Sequence, residues 1–212
     1  MTDSKDVKTV LNIGSGNSAM QAPHYDRFYE MRLDVNDAYE PDIVADLLEI
    51  DEDWFASHPE YHHTFDAVHL SHVLEHFYSW DNDRIMKAIK GLLKEDGMVD
   101  IYVPDILAAA RKTTRQMGAK GLDTVMYRIG ENEEGAITFH DMLYGYPHTE
   151  DQWMGHKQGF DMRKLVMTIR PHFSHAYQIN RSGVLELGIV AFVQKADWHD
   201  YLFTFNKGND NG

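Results

Sequence analysis

The sequence predicts an α/β fold in which a single domain is built on one open, mostly parallel sheet of seven strands. Three observations carry this expectation. Short apolar runs alternate with helix-period stripes along most of the chain, the order that yields a doubly wound sheet with helices on both faces. The first run ends abruptly at Gly14 and Gly16, where glycine permits positive φ and close approach of a ligand to the backbone. The last two runs, FSHAYQIN and LELGIVAFVQ, are joined by RSGV and read as an antiparallel C-terminal hairpin.

In chain order, TVLNI at 9–13 reads as the first buried strand, and YEMRLDV places the second at 32–35. A short third strand lies at 43–45 and a fourth, AVHL, at 67–70. Val73, Leu74 and Phe77 then suggest a helix-like stretch. The clearest helix carries Ile85, Met86, Ile89, Leu92 and Leu93 on one stripe, with Gly97 as its stop. MVDIYV at 98–103 is the fifth strand, closed by Pro104. From 105 to 160 the alternation lapses into helical pieces, such as Leu122, Val125, Met126 and Ile129, divided by glycines. This stretch reads as a helical insertion after strand five, on the substrate side of the sheet. A last helix, with Met162, Leu165, Val166 and Ile169 behind a capping Asp161, ends at Pro171. The domain is expected to span 1–205, and the polar tail 206–212 to be disordered.

With 212 residues, 43% of them hydrophobic, the chain has enough apolar surface for one self-sufficient core. Cysteine is absent, which excludes disulfide frameworks, thiolate zinc sites and cysteine nucleophiles. Thirty-four acidic residues against 20 Lys and Arg give a net charge of -14, a surface that repels phosphate backbones and anionic headgroups. Neither nucleic acid nor a membrane surface is therefore an expected partner. The N-terminus MTDSKDVKTV lacks the apolar segment of a signal peptide and no run of 18 apolar residues occurs, so a cytoplasmic location is expected. Composition leaves the oligomeric state open.

Asp34 lies 20 residues after Gly14 at the end of the second strand, where doubly wound sheets place a carboxylate that accepts ribose hydroxyls. Glycine turn and strand-end acid together point to a nucleoside-containing cofactor; a structural turn beside a solvated acid is the plainer alternative. Gly14, Gly16 and Ala19 also satisfy the dinucleotide fingerprint, which would make the chain a nicotinamide-dependent oxidoreductase. That site needs a helix starting at once beneath the pyrophosphate, and QAPHYDRFYE, with Pro23, shows no helical stripe.

Taken together, VLNIGSGNS, MRLDV, PDIVADL, FDAVHLSHVLEHF and LLKEDGMVDIYVPD resemble, in order and spacing, the Rossmann-like class I S-adenosylmethionine-dependent methyltransferases, in particular the type-11-like small-molecule branch. The resemblance covers about residues 8–105 well and the closing helix and hairpin loosely. Two positions depart from it: Ser18 replaces the third glycine of the turn, and Asn12 stands where an acidic residue is frequent. The resemblance implies S-adenosyl-L-methionine as cofactor, its amino acid moiety on the backbone of Gly14, Ser15 and Gly16 with Asn12 nearby. It further implies Asp34 on the ribose, Asp46 on the adenine amino group, the Leu47 amide on a ring nitrogen, and Leu70 and Ser71 toward the methionyl end. The implied activity is methyl transfer to a small-molecule acceptor such as a sugar, glycan precursor or natural-product intermediate. A module that binds the cofactor without catalysis is the alternative.

His72, Glu75 and His76 spell H-x-x-E-H, which on a helix would place two histidines on one face and suit a zinc peptidase. With 13 histidines chance matches are easy, and the motif reads instead as helix packing behind the site, with no metal expected. His72, just after strand four, is expected to face the acceptor. Phe139, His140, Tyr144, Tyr146, His148, Trp153, His156 and Phe160 crowd one segment of the insertion, as a pocket wall or as a small satellite core. Among them His156 is the preferred catalytic base, with His72 across the methyl from it.

Overall fold

One sheet begins with β1 (Thr9–Ile13), β2 (Tyr29–Asp34), β3 (Ile43–Val44), β4 (Phe65–Ser71) and β5 (Leu93–Pro104), of which β1, β4 and the second half of β5 are apolar runs buried on both faces. The computed structural model describes residues 7–17, 19–20, 22–115, 121–128, 135–145, 152–179 and 185–194. Two short strands, β6 (Val125–Arg128) and β7 (Ala136–Thr138), form a separate antiparallel pair. β8 (His175–Ile179) and β9 (Glu186–Phe192) complete a seven-stranded main sheet ordered β3-β2-β1-β4-β5-β9-β8. The first five strands are parallel, and β9 runs antiparallel between β5 and β8, as the hairpin reading expects. The strand order reverses at β1, whose neighbours are β2 and β4, and this opens a crevice beyond the C-terminal strand ends.

Strand alternation sorts the sheet into two unlike faces. On one, Leu11, Ile13, Val68, Leu70, Val99 and Ile101 pack against α2 (Asn82–Leu92) and α5 (Met162–Ile169), with Trp54 and Phe55 of α1 (Glu52–Ser57) alongside. Burying Ile85, Met86, Ile89 and Leu92 of α2 stabilises this layer by about 1.5–3 kcal/mol per side chain. The other face carries Val10, Ala67, Met98 and Phe192 under Tyr25, Phe28 and Met20. The described residues place α1, α2 and α5 on the first face, whereas helices on both faces were expected. Among the described residues between β1 and β2 the one helical element is a 3-10 turn, Pro23–Tyr25, since QAPHYDRFYE lacks the periodicity of a helix.

Three further expectations change. The stretch after β4 is a 3-10 turn, Leu74–His76, since Phe77 returns to extended backbone after one turn. Gly97 does not stop α2: Leu93 is already extended and the helix ends at Leu92. In the insertion α3 (Ile106–Arg115) and α4 (Phe139–Tyr144) are helical, but Val125 and Met126 lie in β6, where Met126 packs with Ala109, Ile137 and Met142 in a small core of its own. Ile129, the RSGV connection and the tail 206–212 lie outside the described residues. Among the described residues, no helix is long and apolar enough to cross a membrane.

Candidate functional site

A cavity of about 740 Å³ opens at the crevice, lined by the turn after β1, the ends of β2 and β3, the turn after β4 and part of the insertion. Its geometry begins with two glycines. Gly14 has φ +66, and a Cβ there would lie 2.5 Å from Val73 Cγ2, so the turn passes tightly under the loop that follows β4. Gly16 has φ +57 with no described residue within 4 Å of where a Cβ would point, and its N–H donates to Asp34 Oδ2 at 2.9 Å. Asp34 Oδ1 accepts from the Asn36 N–H at 2.9 Å, and Asp46 Oδ1 accepts from the Leu48 N–H at 2.9 Å. These bonds fix both carboxylates and leave lone pairs on each for a ligand.

The turn after β4 supplies the histidines. His72 sits in the left-handed region at φ +57, an uncommon conformation for a non-glycine residue and one that concentrates at functional sites. Its Nε2 donates to Glu186 Oε1 at 2.7 Å and its Nδ1 stands 3.3 Å from Glu75 Oε1. Burial favours the neutral ring, but the carboxylates of Glu186 and Glu75 outweigh it and raise the His72 pKa to about 10. The two carboxylates therefore favour the charged form of His72, which suits it to holding charge and position more than to taking a proton. Burial dominates at His156 and lowers its pKa, which keeps the ring neutral. Its Nδ1–H donates to the Met142 carbonyl at 3.1 Å, which leaves Nε2 with its lone pair.

Of the residues expected at the site, Gly14, Ser15, Gly16, Asp34, Asp46, Leu47, His72 and His156 line the cavity. Asn12, Leu70 and Ser71 do not. Asn12 projects on the opposite face, in register with His69, and its amide donates to Glu30 Oε1 at 2.9 Å. Leu70 is wholly buried in the helix-covered core, and Ser71 pairs with Tyr102 at the strand end. The aromatic segment divides: Trp153 and His156 line the cavity, Phe139 packs on the small core, Phe160 joins the main one, and His140 and Tyr144 are not among the lining residues. Tyr146 and His148 lie outside the described residues.

Tyr127, Asp141, Glu186 and His76 line the cavity without having been foreseen there. Asp141 had a readable signal, because Thr138 and Asp141 form a capping box at the start of α4. Glu186 had one too, as an acid inside an otherwise apolar strand. The H-x-x-E-H motif has no helix to act on, so His72 and His76 share no helical face; His76 meets His156 instead, with ring centroids 4.9 Å apart. A second polar cluster lies away from the cavity. Asp100 accepts from Tyr25 Oη at 2.7 Å and from His69 Nδ1 at 2.8 Å, with His24 Nε2 at 3.3 Å. Burial raises the pKa of this carboxyl, but His69 and His24 outweigh it and hold the group well below the usual carboxylate range.

No protein-family model and no curated relative matches the sequence. Solved structures do match. An S-adenosylmethionine-dependent methyltransferase from Archaeoglobus fulgidus superposes with a TM-score of 0.54 at 13% identity, over 89% of this chain and 87% of that chain. The 1,6-didemethyltoxoflavin-N1-methyltransferase of Burkholderia thailandensis, solved with bound 1,6-didemethyltoxoflavin and S-adenosylhomocysteine, gives 0.50 at 15% identity, over 87% and 70%. A Rhodobacter sphaeroides structure with a provisional zinc-dependent alcohol dehydrogenase name gives 0.50 at 13%, over 91% and 87%. At such identities the likeness is one of fold.

Proposed function

We propose that this chain, whose fold is that of the class I S-adenosylmethionine-dependent methyltransferases, binds S-adenosylmethionine and transfers its methyl group to a small-molecule acceptor. One observation carries the reading: a single cavity joins the Gly14 to Gly16 turn, both strand-end acids and a neutral histidine of the insertion. The residues fit the cofactor. Asp34 accepts ribose hydroxyls on the lone pairs that Gly16 and Asn36 leave it, Asp46 accepts the adenine amino group, and Gly16, with no described residue where a Cβ would point, admits the ligand to the backbone.

When bound, the cofactor supplies a methyl already activated on a sulfonium, so the protein's task is alignment and exclusion of water. Tyr127, Ile137, Met142 and Trp153, all from the 105–160 insertion, give the acceptor end an apolar and aromatic wall. His72 contributes charge and position, held between Glu75 and Glu186. His156, neutral and bonded through Nδ1, is the histidine able to take a proton from an acceptor hydroxyl. A thermal-shift comparison tests the reading: S-adenosylhomocysteine raises the midpoint and NADH does not. A shift with NADH alone would return the site to nicotinamide chemistry.

A further inference from the structure

Glu75 is 1% exposed, and among the described residues neither of its carboxyl oxygens has a hydrogen-bond partner. The nearby His72 Nδ1, 3.3 Å from Oε1, is a charged contact without hydrogen-bond geometry. A buried carboxyl left in this state is costly and calls for an explanation. Asp100 shows the contrast: it is equally buried, and both of its oxygens are occupied by Tyr25 and His69.

Around Glu75 stand two imidazoles prepared in the same way. His156 Nδ1 donates to the Met142 carbonyl at 3.1 Å and His76 Nδ1 to the Gly155 carbonyl at 3.3 Å. With Nδ1 turned to a carbonyl, Nε2 is the nitrogen that each ring has left for a ligand, the second-sphere arrangement of metal-ligating histidines. One ligand atom from each of Glu75, His76 and His156 lies within 4.8 Å of the other two. The juxtaposition is held by two hydrogen bonds to the turn's carbonyls: the Lys157 N–H donates to that of Glu75 at 2.8 Å, and the Gln158 side-chain amide, through Nε2, to that of Leu74 at 3.0 Å. Residues far apart in sequence are thus clamped before any ligand arrives.

We propose that Glu75, His76 and His156 form a binding site for one divalent transition-metal ion, of which zinc is the type, with its open coordination position facing the cavity. Two imidazoles and one carboxylate are a donor set of open, catalytic metal sites, in contrast to the closed four-ligand sets of structural zinc. Ligands at bond lengths of about 2.0–2.2 Å on a tetrahedral ion lie about 3.4 Å apart, so small side-chain rotations close the cluster. His76 and His156 line the cavity and Glu75 stands behind them, which turns the open position toward the space assigned to the acceptor. The site requires no helix, unlike the reading of H-x-x-E-H in which His72 and His76 share the ion. Resting on the methyl-transfer reading, it narrows the acceptor to one with an oxygen donor, a hydroxyl that the ion binds and whose proton leaves to solvent. His156 is then a ligand, and the ion takes over from it the task of lowering the acceptor's pKa.

The test uses the full chain, stripped with chelator and titrated with Co²⁺ and with Zn²⁺. Visible d–d absorption of Co²⁺ and elemental analysis read the metal, and S-adenosylhomocysteine calorimetry on the same samples reads the cofactor half-site. The expected result is one ion per chain, with affinity lowered about 100-fold in each of Glu75→Gln, His76→Ala and His156→Ala while cofactor heat persists. His156→Gln, a milder change, covers the case in which the alanine variant fails to fold. Wild-type protein that binds S-adenosylhomocysteine but no Co²⁺ overturns the site. So does Co²⁺ binding that survives the three substitutions together, or that is lost in His24→Ala and kept in His156→Ala. Metal binding as expected with no cofactor heat upholds the site and removes the methyl-transfer reading instead.

Discussion

The Gly16 N–H and the Asp34 carboxylate hold each other at 2.9 Å, so the turn after β1 and the acid ending β2 form one unit before any ligand binds. Asp34→Ala removes that bond together with those proposed to the ribose. S-adenosylhomocysteine should then bind more weakly by about 1.5–3 kcal/mol, roughly 10- to 150-fold, the usual loss for charge-assisted hydrogen bonds. Calorimetry reads the affinity, and a lower midpoint of thermal unfolding reads the turn.

The two glycines of that turn differ in what they tolerate. Gly16→Ala meets no described neighbour and should cost about 1–2 kcal/mol for the left-handed backbone alone. Gly14→Ala bears the same backbone cost and drives a Cβ to 2.5 Å from Val73 Cγ2, so it should destabilise more. Urea unfolding of the pair gives the difference; equal losses would mean that the loop after β4 yields freely.

The Asp100 cluster sets an acid limit on stability. Its folded pKa lies below the unfolded value of about 3.9, so its contribution is complete above that value and is lost as pH falls through the folded pKa. Asp100→Asn should therefore be less stable than wild type at pH 7, with the gap closing as pH falls below about 4. Tyr25→Phe, which takes the donor from Asp100 Oδ1, should cost about 1–3 kcal/mol. Thermal unfolding across pH 2–7 checks both.

His156 separates turnover from cofactor binding. Once an acceptor is found, His156→Ala should lower kcat by about 10²- to 10⁴-fold and leave S-adenosylhomocysteine affinity nearly unchanged. A parallel loss of cofactor affinity would make His156 a packing residue.

Much of this architecture is legible in the sequence because its determinants are local. Thr9 to Ile13 is a strand from its apolar run, Gly14 and Gly16 announce the turn, and Asp34 and Asp46 follow at strand ends. What escapes is decided by tertiary contacts. Val73, Leu74 and Phe77 fit a helical spacing, yet three positions are too few to tell one 3-10 turn from a helix. Asn12 is one residue from the turn, but strand alternation assigns its side chain to the far face beside Glu30. Glu75 and His76 meet His156 only because the segment before α5 docks on the turn after β4, and His76 and Gly155 are 79 residues apart.

Titration of the wild-type chain with S-adenosylhomocysteine by isothermal calorimetry, with NADH as the paired ligand, decides whether the Gly14 to Gly16 turn and Asp34 hold the sulfonium cofactor. One S-adenosylhomocysteine per chain should bind with micromolar affinity or tighter, with no heat from NADH. Absence of heat at millimolar S-adenosylhomocysteine, or saturable binding of NADH in its place, would contradict that assignment.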